Sequence, residues 1–165
     1  MAILVLGLGN TLLSDEGVGV VAMRTLQERL GDASDIEFLD GGTLSFTLAV
    51  PIEECDALIV LDAAMVDGQV GAIACFEGEA MDRFLGENRK ASVHEVGLLD
   101  LMVIATLTEH WPARRALIGI RPEKLDWGEA LTPAVAAGVE EMCRCAEALI
   151  ASWRSGQAPD GNMQE

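Results

Sequence analysis

Four side chains able to bind a metal or move a proton stand at the ends of recognisable segments: Glu16, Asp40, Asp62 and His94. Glu16 follows a glycine-containing loop, Asp40 precedes two glycines, and Asp62 ends an apolar run. His94 is one of only two histidines. The two carboxylates Glu16 and Asp62 with His94 form a donor set that nickel, zinc, cobalt, manganese or iron could occupy, and ligand chemistry alone does not choose among them. Such an incomplete shell leaves positions for water or for a partner's atoms.

Each of these residues also has a purely structural interpretation. Glu16 would lie in the first turn after a Ser14 helix cap, where the helix dipole favours any carboxylate by roughly 0.3–1 kcal/mol. Asp40 could form a turn, and His94 could simply open a helix. Asp62 is harder to explain structurally, because a carboxylate at the end of a buried strand is costly unless it is paired or bound to a cation.

Apolar runs typical of buried parallel strands alternate with helical patterns along the chain. The last helix begins with Thr132 as its cap and Pro133 in its first turn. This alternation predicts an α/β fold, a three-layer α/β/α sandwich around a mostly parallel five-stranded sheet. The predicted strands are Ile3–Leu6, Ile36–Leu39, Ala57–Leu61, Gly71–Phe76 and Ala116–Ile120, and the helices lie near 15–30, 43–54, 95–109 and 132–153. Because ligands bind beyond the carboxyl ends of such strands, the candidate residues are expected to converge there.

Length and composition limit the classes of protein to consider. The 165 residues predict one domain over 1–153 and a flexible polar tail over 154–165. A net charge of −16 argues against nucleic acid or an anionic membrane as partner. The first segment resembles a strand and not a signal peptide, and no apolar run reaches membrane-spanning length. The four cysteines lack paired spacing, which favours reduced thiols and a cytoplasmic location.

The first glycine loop admits a second interpretation, a nucleotide-binding oxidoreductase. Gly7 and Gly9 follow a strand and precede a helix, and Asp40 could hold a ribose. The dinucleotide fingerprint fails at its third glycine, however, because position 12 is leucine and the next glycine is Gly17. The pattern therefore argues against this alternative, and a cofactor titration would test it.

Four segments resemble the hydrogenase maturation endopeptidases of nickel–iron hydrogenases. They are ILVLGLGNTLLSDEGVGV at 3–20, LDGGT at 39–43, LIVLDA at 58–63 and SVHEVGLLDL at 92–101. The similarity continues to LTPAV at 131–135 and so covers the whole predicted domain. The segment containing His94 favours the type that serves membrane-bound uptake hydrogenases.

The resemblance implies a protease that removes a short C-terminal peptide from the hydrogenase large-subunit precursor after nickel has been inserted. The metal-contacting residues of the family fall on Glu16, Asp62 and His94 of this chain. The loop from Asp40 to Thr43 falls on a segment implicated in the site or in substrate recognition, and Asp40 is the candidate catalytic residue. The metal is expected to be the nickel of the precursor, although other divalent metals could substitute.

The residues themselves are compatible with that activity. The sequence has no Gly-x-Ser-x-Gly elbow and too few histidines to activate a serine or cysteine nucleophile. Cleavage would then rely on a metal-polarised carbonyl or metal-activated water, with a carboxylate moving the proton, which leaves the choice between an aspartic and a metallo-type hydrolase open. A non-catalytic nickel chaperone of hydrogenase assembly would use the same ligands and remains the alternative.

Overall fold

Five strands form a single sheet in the computed structural model, which describes residues 1–42, 46–87 and 97–156. The strands are β1 (Ile3–Leu8), β2 (Ile36–Gly42), β3 (Ala57–Ala63), β4 (Ile73–Glu77) and β5 (Arg114–Ile120). Their order across the sheet is β2-β1-β3-β5-β4. The first three neighbouring pairs are parallel, and β4 pairs antiparallel with β5. The predicted mostly parallel five-stranded sheet is therefore confirmed.

Helices cover both faces of this sheet, as the sequence predicts. They are α1 (Val18–Leu30), α2 (Ala49–Glu54), α3 (Glu79–Glu87), α4 (Leu98–Leu107) and α5 (Pro133–Arg154), with short 3-10 helices at Ser14–Gly17 and Phe46–Leu48. Helices α1 and α5 share one apolar cluster with the sheet, and α2, α3 and α4 share the other. The result is the expected three-layer α/β/α sandwich.

The two faces of the strands are both apolar because both are covered. Along β1, Ile3 and Val5 belong to the cluster under α1 and α5, whereas Leu4 and Leu6 belong to the opposite cluster. All six residues of β1 are buried. A strand with two buried faces needs a continuous apolar run instead of an alternating one, which is why the sequence pattern located it.

Helix α5 has the start and the buried face that its sequence predicts. Thr132 is the residue before the helix and Pro133 is its first residue. Its inner face ends at Trp153, which is 1% exposed and donates its indole N–H to Glu77 Oε1 at 3.2 Å. The Thr132 hydroxyl does not bond to the helix, however, but to a residue of the candidate site described below.

Two features of the fold differ from the sequence interpretation or extend it. Helix α3 was not predicted, because only Met81 of its nine residues is fully buried and its apolar stripe is short. The predicted helices near 43–54 and 95–109 begin in segments 43–45 and 88–96, which lie outside the described residues, as does the tail from 157. Among the described residues, no helix is long and apolar enough to cross a membrane.

The strand order creates a crevice at one position of the carboxyl edge. From β1 the chain passes through α1 on one face to β2, and from β2 it returns through α2 on the opposite face to β3. β1 and β3 are therefore neighbours, but the chain leaves β1 toward β2 on one side of the sheet and leaves β3 toward β4 and β5 on the other. This reversal of strand order is the place where open α/β sheets bind ligands.

Candidate active site

Glu16 lies in the 3-10 helix that directly follows β1 at this crevice. The loop before it is fixed by main-chain bonds, from Gly9 N to Gly42 O at 2.8 Å and from Glu16 N to Leu13 O at 3.2 Å. The Glu16 side chain is partly buried. The sequence prediction that this carboxylate sits at the carboxyl edge of the sheet agrees with the structure.

Two glycines allow the main chain to pack closely enough to form the site. Gly9 has φ +117°, and a Cβ atom there would lie 1.8 Å from the carbonyl oxygen of Glu16. A Cβ atom on Gly19 would lie 2.1 Å from Leu61 O and 2.5 Å from Leu8 O. The first turn of α1 therefore rests directly on the main chain of β1 and β3, one residue before Asp62.

Asp62 is the second carboxylate brought to this point. It lies near the end of β3, opposite Gly119 of β5 in the parallel register. Burial is the main cause that raises the pKa of Asp62 to about 7, the N–H of Ala63 opposes the shift, and the negative charge of Glu16 adds to it. The structure thus brings the Glu16 and Asp62 carboxylates near enough for their charges to interact.

Asp15 locks the Glu16 turn to the loop that precedes α5. Its carboxylate is completely buried and accepts four hydrogen bonds. The donors are Glu123 N at 2.9 Å, Lys124 N at 3.0 Å, Thr132 N at 2.8 Å and Thr132 Oγ1 at 2.7 Å. Burial alone would raise the pKa of Asp15, but these donors together hold it below its ordinary value. The sequence interpretation missed this residue, because all of its partners are more than 100 positions away.

Ser14 does not have the role that the sequence predicts. The 3-10 helix begins at Ser14 with φ +52°, the preceding residue is Leu13, and no side chain caps it. The Ser14 hydroxyl instead donates to Ala130 O at 2.8 Å, and its N–H donates to Gly128 O at 2.6 Å. The prediction of a helix cap was wrong, since this buried serine bonds its own turn to the 128–130 loop and its side chain makes no capping bond to the helix.

Asp40 reaches the same edge of the sheet but at a separate position. It is aligned with Gly7 in the β1–β2 register, so β1 lies between it and β3. Two strand spacings separate the main chain of Asp40 and Asp62 by about 10 Å. The exposed Asp40 carboxylate accepts a bond from Gly42 N at 2.8 Å and forms an ion pair with Arg24 at 3.2 Å. These contacts stabilise a turn, and its catalytic role stays a prediction.

The remaining predicted residues of the site lie outside the described part of the chain. His94, the third predicted ligand, is in segment 88–96, and Thr43 is in segment 43–45. Within residues 1–42, 46–87 and 97–156, no three His, Cys, Asp or Glu side chains are grouped so that they could hold a metal ion. The described site is therefore the carboxylate pair of Glu16 and Asp62, which could hold a cation only with additional donors.

The fold is that of a small α/β protein with a mostly parallel sheet, and its carboxylate pair lies at the strand-order reversal, where such folds bind ligands. Comparison with known proteins specifies the class further. The family model described as hydrogenase maturation protease matches residues 20–149. The hydrogenase expression/formation protein HoxM of Cupriavidus necator is 33% identical over 158 residues, covering 95% of this chain and 78% of that protein. The hydrogenase 2 maturation protease of Escherichia coli is 35% identical over 141 residues, covering 85% of each chain.

Solved structures give the same result. The hydrogenase maturating endopeptidase HybD from Escherichia coli superposes with a TM-score of 0.81 at 32% identity and covers 94% of both chains. The [NiFe] hydrogenase maturation protease HybD from Thermococcus kodakarensis has a TM-score of 0.71 at 32% identity, covering 90% of this chain and 99% of that one. The chain belongs to the hydrogenase maturation protease family and is an endopeptidase of that family.

Proposed function

We propose that this endopeptidase removes the C-terminal extension of the nickel–iron hydrogenase large-subunit precursor once nickel has been inserted. The observation that carries the proposal is the juxtaposition of Glu16 and Asp62 at the strand-order reversal, in a chain of the maturation protease family. A carboxylate pair there can bind a cation that a substrate brings to it. Nickel is on this proposal part of the substrate, and it identifies which precursor is ready to be cut.

The donor chemistry supports a cation delivered by the substrate. Glu16 and Asp62 provide two anionic oxygen ligands, and His94 is the third ligand in this proposal. Three protein donors leave coordination positions for atoms of the precursor. Oxygen and imidazole donors bind several divalent metals, so other divalent ions are expected to compete with nickel at this site.

The cut itself requires a polarised peptide carbonyl and a group that moves a proton. Nickel bound to the precursor would supply Lewis-acid polarisation or an activated water. Glu16 and Asp62 would hold and orient the metal-bearing segment of the precursor. Asp40 is the proposed proton-transfer group. It is on β2 whereas Asp62 is on β3, with β1 between them, so the scissile segment would have to lie across the end of β1. The Arg24 ion pair and the Gly42 N–H would keep its carboxylate oriented.

A processing assay with matched precursors tests the proposal. The purified chain is incubated with nickel-loaded and nickel-free large-subunit precursor, and the mass of the large subunit is followed with time. We expect shortening of the nickel-loaded form only. Glu16→Gln and Asp62→Asn are expected to slow it more than about 100-fold, because each removes a charged donor from the metal.

The matched control is Glu28→Gln. Glu28 is exposed on α1, about 15 Å along the helix axis from its first residue, and the same substitution there should leave processing unchanged. Equal cleavage of nickel-free precursor would contradict the nickel requirement. Stoichiometric binding of the nickel-loaded precursor without any shortened product would instead favour the non-catalytic nickel chaperone.

We also propose that the chain acts in the cytoplasm and has neither nucleic acid nor membrane as partner. All four cysteines are free thiols, which suits a reducing compartment. The net charge of −16 opposes contact with phosphate-rich surfaces. Fractionation of cells that express the tagged chain, followed by immunoblotting, tests this location, and enrichment in the membrane pellet would contradict it.

A further inference from the structure

Exposed apolar side chains concentrate around the carboxylate pair. Ten large hydrophobic residues are exposed among the described residues, and six of them lie in the segments that follow the carboxyl ends of the parallel strands. Five of the six are on the loops after the adjacent strands β1, β3 and β5. Four of these five are more than 45% exposed, and together they are called the apolar rim. The apolar rim consists of Leu12, Met65, Leu125 and Trp127, which are 49%, 56%, 52% and 73% exposed.

The loops that carry the apolar rim are held in place by buried bonds. Gly128, next to Trp127, donates its N–H to Leu12 O at 3.0 Å, and its carbonyl accepts the N–H of Ser14 at 2.6 Å. The buried Asp15 carboxylate ties the same loop to the turn that carries Glu16. The exposed indole is therefore presented by an ordered loop in fixed register with Glu16. A fixed, exposed tryptophan beside a functional site is typical of the centre of an interface.

We propose that the apolar rim is the surface on which the large-subunit precursor docks, with Trp127 as its central contact. This rests on the proposed function, since nickel enclosed in the precursor can reach Glu16 and Asp62 only if the precursor polypeptide covers the same edge of the sheet. Leu12 and Trp127 are on loops bonded to the turn that carries Glu16, and Met65 follows Asp62 by three residues. An apolar centre at the site with a polar border is the usual anatomy of a protein interface.

Charge indicates the kind of segment that fits this surface. The exposed carboxylates Glu123, Asp126 and Glu129 border Trp127, and only Lys124 lies among them as a base. The whole chain carries a net charge of −16. The docking segment of the precursor is therefore one with apolar side chains flanked by lysine or arginine, and its association rate falls as salt is added.

Intrinsic fluorescence provides a direct test, because the three tryptophans have different environments. Trp153 is 1% exposed, and Trp111 is partly buried and donates its indole N–H to Asp82 at 3.0 Å. Trp127 is the exposed one. Titration with nickel-loaded precursor is expected to shift the emission of the unchanged chain to shorter wavelength and protect it from acrylamide. The shift should be lost in Trp127→Leu. The emission of the precursor's own tryptophans, measured by titrating precursor into buffer alone, is subtracted.

Steady-state processing provides the second test. Trp127→Ala is expected to raise KM about 30-fold with kcat nearly unchanged, as for a central interface residue that does not touch the cut bond. Leu107→Ala is the matched control, since Leu107 is 79% exposed but ends α4 beside Thr108, which bonds to Glu53 at the opposite edge of the sheet. That control should leave both constants unchanged.

The outcomes separate this inference from the function on which it rests. Failure of the unchanged chain to cut nickel-loaded precursor contradicts the proposed function. Normal cutting with the same KM in Trp127→Ala, or a larger effect of Leu107→Ala, contradicts the docking surface alone. Dimerisation of the isolated chain that Trp127→Ala abolishes would also overturn it, because a second copy would then cover the apolar rim.

Discussion

Replacing Asp15 by asparagine should destabilise the fold although it changes only one atom of the side chain. The carboxylate accepts four hydrogen bonds in a fully buried position, and an amide keeps a single acceptor oxygen. At least one donor is then left unpaired, and the other three lose a charged acceptor. Loss of one bond to a charged group costs about 1.5–3 kcal/mol, and weakening of the other three by about 0.5 kcal/mol each adds about 1.5 kcal/mol. The expected loss in the free energy of unfolding is therefore about 3–4.5 kcal/mol.

Urea unfolding followed by circular dichroism at pH 7.5 measures this loss. The control is Asp126→Asn, whose exposed carboxylate accepts only the N–H of Trp127 and should change the free energy of unfolding by less than about 0.5 kcal/mol. Because the pKa of Asp15 is lowered in the native state, its stabilisation is complete above about pH 4 and disappears as the pH falls through the native pKa. The gap between the unchanged chain and Asp15→Asn should therefore narrow in acid.

A loss no larger than that of Asp126→Asn would refute the view that Asp15 holds the loop before α5 in place. A large loss that stays constant down to pH 2 would refute the ionised state of this carboxylate. The structure also predicts that stability and processing fall together in Asp15→Asn, because the same turn carries Glu16. Full processing activity at low urea would contradict that coupling.

Two further substitutions test the geometry of the site. Because the pKa of Asp62 is raised to about 7, the free energy of unfolding of the chelator-treated chain should fall as pH rises from about 4 to 7. The Asp62→Asn variant lacks this titration, so its free energy of unfolding minus that of the unchanged chain should increase by about 2–4 kcal/mol over the same pH range. A gap that does not change with pH in urea titrations would contradict this. Gly9→Ala places a Cβ atom 1.8 Å from Glu16 O at φ +117° and should cost more than about 2 kcal/mol and slow processing, measured by melting and mass analysis. Gly86→Ala in α3 meets nothing within 4 Å and should be neutral or stabilising, so equal effects of the two would argue against the clash.

Local sequence patterns were sufficient for most of the fold. Strands buried on both faces require continuous apolar runs, and these located β1, β3 and β5 to within a few residues. The helical spacing of apolar residues correctly predicted that α5 extends to Trp153 and that Trp153 is on its buried face. Helix α3 was missed because its amphipathic pattern spans only nine residues, of which only Met81 is fully buried. The antiparallel direction of β4 depends on how its connections run, which the composition of the strand does not record.

The site was predictable only in part. Glu16 and Asp62 could be placed because strand ends converge by rule in a parallel sheet. Asp15 and Ser14 could not, because their partners at 123–132 are distant in sequence and include main-chain atoms, which have no sequence signature. Ser14 was assigned a local cap for that reason. The local capping rule was overridden by a long-range bond to Ala130 O.

The close contact at Gly19 has a consequence for how the sequence can change. The distance between the Glu16 turn and the end of β3 is set by main chain resting on main chain, at Leu61 O and Leu8 O, with no side chain between them. Substitutions elsewhere in the core alter side-chain volumes, but they leave the thickness of the polypeptide backbone unchanged. The apolar residues under α1 and α5 can therefore be replaced and repacked while the spacing of the two carboxylates stays constant, whereas any side chain at position 19 would change that spacing.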